Sequence, residues 1–297
     1  MASLDAVIVN DTGYLQIPSG TTAQRPGSPT TADLRYNTDL GDFEYYDGTE
    51  WIFQNRFRYI PNDLTLGCML YLDIDHPQSY QTGSNTWNDI AQGIKFAPAP
   101  NRPAINQASG ANYWDFDGAN WWHTPARSYY DVQDYEKVDF GAEYTLVFWI
   151  YATAMSARKT IFEKAGYPGY TSYQTEIAVT WETGNYLTWY SRYNLYDSSS
   201  APVMNADEWN MCALHATDGL TTAARSGGSS INGGALGTSY GNRSTDPCRP
   251  AGEIRIGYGY AGACDNGGIA AVMAWNRKLS ANEMAVLYDC YKGRFGL

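Results

Sequence analysis

The residues best suited to chemistry are aromatic clusters set among amides. Asn120-Trp121-Trp122-His123 is followed by Tyr129 and Tyr130, Trp189 and Tyr190 open a second window with Tyr193 and Tyr196, and Tyr258 with Tyr260 makes a third. An aromatic ring covers the apolar side of a pyranose while amide and carboxylate groups bond its hydroxyls, so these windows suit sugar recognition. Successive side chains leave a strand on opposite faces, so Trp121 and Trp122 cannot both point inward. One of them is expected at the surface. For any single ring the competing reading is core packing or a subunit contact.

Hydrolysis of a glycosidic bond asks for two carboxylates flanking it, one ionised and one protonated. The nearest approach to such a pair on one strand is Asp115-x-Asp117, inside a Trp-Asp-Phe-Asp-Gly turn where an aspartate more often accepts backbone amides. His76, His123 and His215 have no serine or cysteine elbow near them. The sequence therefore predicts no enzyme.

Composition narrows the partners. The 297 residues carry 31 acidic and 20 basic side chains, a net charge of −11, and only 17% charged residues against 15% aromatic ones. With no basic run, the chain lacks the clustered Lys and Arg that neutralise phosphates, and nucleic acid is excluded as a partner. No stretch of 18 apolar residues occurs, and MASLDAVIVNDTG has neither a basic start nor an apolar core of signal-peptide length. A soluble protein without membrane insertion or a cleaved secretion signal is expected. The five cysteines, at 68, 212, 248, 264 and 290, form no C-x-x-C pair. Buried thiols are the default for them, with a Cys248 to Cys264 disulfide as the alternative in an oxidising setting.

The elements that must position these groups fall into three stretches. Residues 1–52 hold a proline-rich strap, YLQIPSGTTAQRPGSPT, and then LRYNT and FEYYDGTEWI, which read as a β-hairpin with one adhesive face. A segment this small, without disulfide or metal, needs a partner to complete its core. It is thus read as an assembly or docking module, with Ile17, Pro18, Arg25, Pro26, Tyr36, Phe43, Tyr45 and Trp51 as interface candidates and Leu34 as a further packed position. Residues 53–66 connect it to 67–297, where short runs such as MLYLDI, YWDF, YTLVFWIYAT, IAVTW, YLTWYS and EIRIGY alternate with turns. That spacing predicts an all-β sandwich or jelly roll. One helix is expected near the end, capped by Ser280 with Glu283 and stopped at Gly293, with Met284, Leu287, Tyr288 and Tyr291 on its packed face.

Five motifs in order make residues 66–292 resemble the concanavalin A-like, laminin G-like jelly-roll superfamily. They are Trp114-Asp115-Phe116-Asp117-Gly118-Ala119-Asn120, Tyr144 to Ile150, Ile161 to Gly166, Trp209 to His215, and Gly268-Ile269 followed by Asn276-Arg277-Lys278-Leu279-Ser280-Ala281-Asn282-Glu283. The family often has an acidic pair after Gly-x-Ile, and here Ala270 and Ala271 stand instead. The resemblance implies a lectin, a glycan hydrolase or a structural domain, and a rim where calcium is common, for which Asp73, Asp75, Asp89, Asp117 and Asp265 are candidate ligands. Hydrolases of this fold carry a Glu-x-Asp-x-x-Glu run, which this chain lacks.

A second resemblance covers residues 13–53. Gly13 to Pro26, Arg35-Tyr36-Asn37-Thr38-Asp39, Phe43-Glu44, Tyr46-Asp47-Gly48 and Trp51 are similar to a segment of bacteriophage virion proteins, tail, fibre and baseplate components above all. Together the two imply a homotrimeric virion protein that recognises host-surface polysaccharide without catalysis. A capsid decoration or head-fibre protein is the alternative, and a glycan depolymerase the third.

Overall fold

In the computed structural model the chain divides into two compact units, Met1–Arg56 and Phe57–Leu297. The structure describes residues 16–38, 42–49, 51–53, 60, 64–124, 138, 140, 143–153, 157–165, 175–191, 194–196, 202–217, 226–236, 253–259, 261–265 and 267–297.

In the first unit the strap contributes strand β1 (Ser19–Gly20) and a 3-10 turn, Thr22–Gln24, before β2 (Leu34–Asn37), β3 (Asp42–Tyr46) and β4 (Trp51–Phe53). β1 lies parallel to β2, and β2, β3 and β4 pair antiparallel in sequence order. Alternation along these strands gives the sheet two unlike faces. One is charged within: Glu44, fully buried, receives Arg25 Nη2 at 2.6 Å, Asn37 Nδ2 at 3.1 Å and the Arg35 guanidinium at 3.6 Å. Both guanidinium carbons stand 6.0 Å from the Trp51 ring. The other face carries the cross-strand pairs Leu34 with Tyr45 and Tyr36 with Phe43, and there Leu34, Phe43 and Tyr45 are 45%, 36% and 40% exposed. Of the interface candidates, Arg25 and Trp51 are used inside the unit: Arg25 pairs with Glu44, and Trp51, expected on the adhesive face, pairs with Tyr46 and so shares the side of Glu44. Ile17 is half-buried, and Pro18 and Pro26 are exposed.

The second unit contains, in chain order, β5 (Cys68–Asp73), β6 (Trp87–Asn88), β7 (Lys95–Ala99), β8 (Ala104–Ala108), β9 (Ala111–Asp115), β10 (Trp121–His123), β11 (Glu143–Ala152), β12 (Lys159–Ala165), β13 (Thr175–Trp181), β14 (Leu187–Ser191), β15 (Asn194–Tyr196), β16 (Glu208–Thr217), β17 (Ser226–Ile231), β18 (Ile254–Ile256) and β19 (Gly268–Trp275), then helix α1 (Ala281–Lys292). Among the described residues one sheet runs β15-β14-β13-β12-β18-β10-β7-β6 and the other β17-β16-β11-β19-β9-β8, with β5 sharing the β9 edge of β19. All of these pairings are antiparallel. The all-β sandwich with a short C-terminal helix is thus as the sequence implies. Ile60 and Leu64, in the stretch read as a connector, are buried in its core.

β11 and β19 are apolar on both faces because both are covered. On the inner side Phe148 meets Phe162 of the opposite sheet, with ring centres 5.9 Å apart. On the outer side Trp149 stacks on Phe295 at 4.2 Å and on Tyr291 at 5.7 Å, which seats α1 and the turn after it. The helix begins as predicted. Ser280 Oγ accepts the Glu283 N–H at 3.2 Å, and Glu283 Oε2 accepts the Ser280 N–H at 2.7 Å. It also ends where predicted, at Lys292 with Gly293 as its C-cap, although the φ of −62° there is right-handed; a 3-10 turn, Gly293–Phe295, carries the chain on to Gly296, and the φ of +73° there favours glycine. Ser280→Ala is expected to cost about 1 kcal/mol, read as a fall of about 2–4 °C in Tm by calorimetry. An unchanged Tm would show that Glu283 caps the helix without it.

Candidate functional site

The site is built where β10 meets β7 and β18. β10 pairs Trp122 with Ile256 and His123 with Arg255 on one side, and Trp121 with Ala99 on the other. Trp122 points inward, fully buried among Trp114 at 4.8 Å and Trp87 at 6.0 Å. Trp121 and His123 therefore leave by the outer face, and both are half-buried. The same alternation in β18 buries Ile254 and Ile256 and turns Arg255 outward.

Two loops complete the rim. The Gly118 N–H donates to the Cys264 carbonyl and the Cys264 N–H to the Gly257 carbonyl, both at 2.8 Å, which ties the turn before β10 to the segment after β18. Tyr258 then lies over Trp121, with ring centres 4.3 Å apart and planes 18° from parallel. The Arg255 guanidinium stands 5.7 Å from the Tyr258 ring. Asn120 is fixed by its Nδ2 donating to Asp117 at 2.8 Å and its Oδ1 accepting the Asn101 N–H at 3.2 Å. Glu253 Oε2 is 3.5 Å from His123 Nδ1, and its Oε1 is bonded to Arg255 Nε. Burial pushes the Glu253 carboxyl up, but the bonds from His123 and Arg255 outweigh this and leave it below the ordinary range. Glu253 is therefore a fixed anion at neutral pH.

The structure sorts the sequence candidates. Asn120 and Trp121 sit together at the rim with Tyr258. Trp122 and Trp189 are removed from the ligand surface, since both are packed in the core. Tyr190 occupies the position opposite Ala178 in β13, three strands beyond β18 in the same sheet, and is not part of this rim. Tyr129, Tyr130, Tyr193 and Tyr260 lie outside the described residues. Glu253 and Arg255 were missed; the alternation in Glu-Ile-Arg-Ile-Gly-Tyr, charged against apolar, was the signal that places both on one face.

The acidic candidates for calcium are largely engaged elsewhere. Asp73 and Asp75 hold a guanidinium where a metal would sit: Arg294 Nη1 reaches Asp73 at 2.6 Å and Nη2 reaches Asp75 at 2.9 Å. Asp89 closes a turn by accepting the N–H groups of Tyr71, Ala91 and Gln92, and burial raises its carboxyl to about 6 against those bonds. Asp117 accepts the Ala119 and Asn120 N–H groups, and the first of these bonds is the main cause that holds it below the usual range. Asp265 pairs with Lys159 at 2.8 Å. Among the described residues no group of three or more His, Cys, Asp or Glu side chains is placed to hold a metal ion. Of the cysteines, 68, 212 and 264 are buried, Cys290 is exposed, and Cys248 lies outside the described residues.

An outward, half-buried indole with a stacked partner and fixed polar groups thus stands on the outer face of an antiparallel sandwich. Solved structures share the fold. A mutant of Trypanosoma rangeli sialidase displaying trans-sialidase activity is similar over 89% of this chain and 44% of its own, at 13% identity and TM-score 0.55. Trypanosoma rangeli sialidase in complex with sialic acid is similar over 79% and 34%, at 13% identity and TM-score 0.51. The chain thus spans less than half of either sialidase. No family model matches it, and no curated protein does.

These neighbours correct the expectation that the protein is no enzyme. Sialidases are exceptions to the carboxylate-pair rule, working with a tyrosine nucleophile, so the missing acidic run was not a test of glycan cleavage. At this identity the likeness shows the fold and assigns no catalytic residue.

Proposed function

We propose that the chain is a bacteriophage virion component of tail-fibre or baseplate type whose sandwich binds host-surface glycan at Trp121. The observation that carries this reading is the Trp121 ring, stacked on Tyr258 at the outer face, with the bonded pair Asn120 and Asp117 in the turn before it and His123 and Arg255 paired further along the same face. A sugar gains from such a site by laying its apolar face on the indole while fixed polar groups meet its hydroxyls. One protein that shares the fold over 34% of its own length is a sialidase in complex with sialic acid, which accords with a glycan ligand. Support for the virion context comes from the strap and hairpin motifs and from the outward stripe of Leu34, Phe43 and Tyr45, which would seat further copies of the chain, as in a homotrimer, or a neighbouring virion protein.

The same stripe serves a capsid decoration protein equally well. Locating the chain in a density map of the whole particle separates the two, and its absence from particles would overturn both. For the platform, Trp121→Ala is expected to weaken binding to extracted host polysaccharide about tenfold or more with the fold retained. Equal binding by the variant would contradict the assignment. Release of reducing sugar or sialic acid in the same assay would add cleavage to recognition.

A further inference from the structure

The groups around Glu253 leave a one-sided set of hydrogen-bonding atoms. Both Glu253 oxygens are engaged, Oε2 with His123 Nδ1 and Oε1 with Arg255 Nε. His123 then retains Nε2, and Arg255 retains Nη1 and Nη2. Among the described residues none of these three nitrogens has a hydrogen-bond partner, and both side chains are partly open to solvent. A guanidinium carries only donors, so the dominant free group at this end of the platform offers hydrogen atoms and positive charge. Its terminal edge matches a planar carboxylate with two parallel bonds. The nearby acidic groups do not compete for it. Glu163, which pairs with Arg255 from β12, is buried with a partner of its own, and Asp265 is held by Lys159.

The spacing suits one sugar ring. Trp121 precedes His123 by two residues on the same face, a separation of about 7 Å along a strand, and Arg255 is the direct cross-strand neighbour of His123. Tyr258 joins the two ends, with Trp121 stacked against it and Arg255 beside it. We infer that the ligand of this platform is an acidic sugar, its ring on Trp121 and its carboxylate received by Arg255 Nη1 and Nη2 with His123 Nε2 alongside. The inference rests on the sugar-platform reading and adds the class of sugar.

The test titrates the full chain with trigalacturonate and with the neutral galactotriose of the same linkage. The acidic sugar is expected to bind about tenfold or more tightly. Arg255→Gln should bring the two affinities to within about twofold of each other, and Arg255→Lys, which keeps charge but not the planar edge, should retain only part of the preference. Equal affinities on the natural chain, or a preference that survives Arg255→Gln in a folded variant, would overturn the inference while the platform stands. A sulfated trisaccharide bound as tightly as the carboxylated one would also overturn it, since the site would then read charge and not the carboxylate. Binding of neither sugar would overturn the inference and the platform reading together.

Discussion

Replacing Arg294 by methionine is expected to destabilise the sandwich by about 3–5 kcal/mol, the usual cost of leaving one partner of a buried ion pair alone. Asp73 is fully buried at the end of β5. Arg294 Nη1 reaches both of its oxygens, at 2.8 and 2.6 Å, and the Tyr291 hydroxyl lies 3.2 Å from Oδ2 and 2.8 Å from the Tyr71 hydroxyl. The guanidinium also packs 4.8 Å from the Phe295 ring, so the substitution loosens the seat of α1. Thermal unfolding should show a fall of about 10 °C in Tm. Asp73→Asn in the same chain should restore a large part, because the uncompensated charge is then gone. A single variant that loses less than about 1 kcal/mol would show that water reaches Asp73.

The second large effect is a loss of stability in mild acid. His215 in β16 is fully buried between Thr145 of β11 and Gly228 of β17, and neither ring nitrogen has a hydrogen-bond partner among the described residues. Burial first, and then the charge of Lys278, push its pKa down to about 4 from 6.5. The folded state therefore binds fewer protons than the unfolded chain between these values, and stability falls as pH drops from 6.5 toward 4. The loss attributable to His215 is about 2 kcal/mol at pH 5 and about 3 kcal/mol below pH 4. Asp89 works the other way, since its raised pKa favours the fold as it protonates near pH 6. Urea unfolding of the natural chain and of His215→Leu at pH 7.5 and pH 5 isolates the histidine. The variant should lose about 2 kcal/mol less over that interval, and equal losses would contradict the assignment.

The parts that were legible in the sequence are those set by local pattern. Alternation required one of Trp121 and Trp122 to face out, and the Ser280 and Glu283 box fixed where α1 begins. What was not legible depends on partners distant in the chain. Which indole is outward follows from the pairing of Trp122 with Ile256, not from either residue. Asp73 and Asp75 read as metal ligands because their cation, Arg294, comes 221 positions after Asp73. Trp189 looked like a ligand ring until its strand's pairing with Val179 turned it into the core. Trp51 was counted with the apolar hairpin face, and only β4 register placed it with Arg25, Arg35 and Glu44.

The claim that Trp121 is the sugar platform has a direct spectroscopic test. The ten tryptophans each carry an indole N–H visible by proton–nitrogen NMR, assignable by substitution. Titration of the full chain with trigalacturonate should shift the Trp121 signal in a saturable way and leave the buried Trp87, Trp114 and Trp122 signals in place. A Trp121 signal that stays fixed while the sugar binds, or while another indole moves, would contradict it.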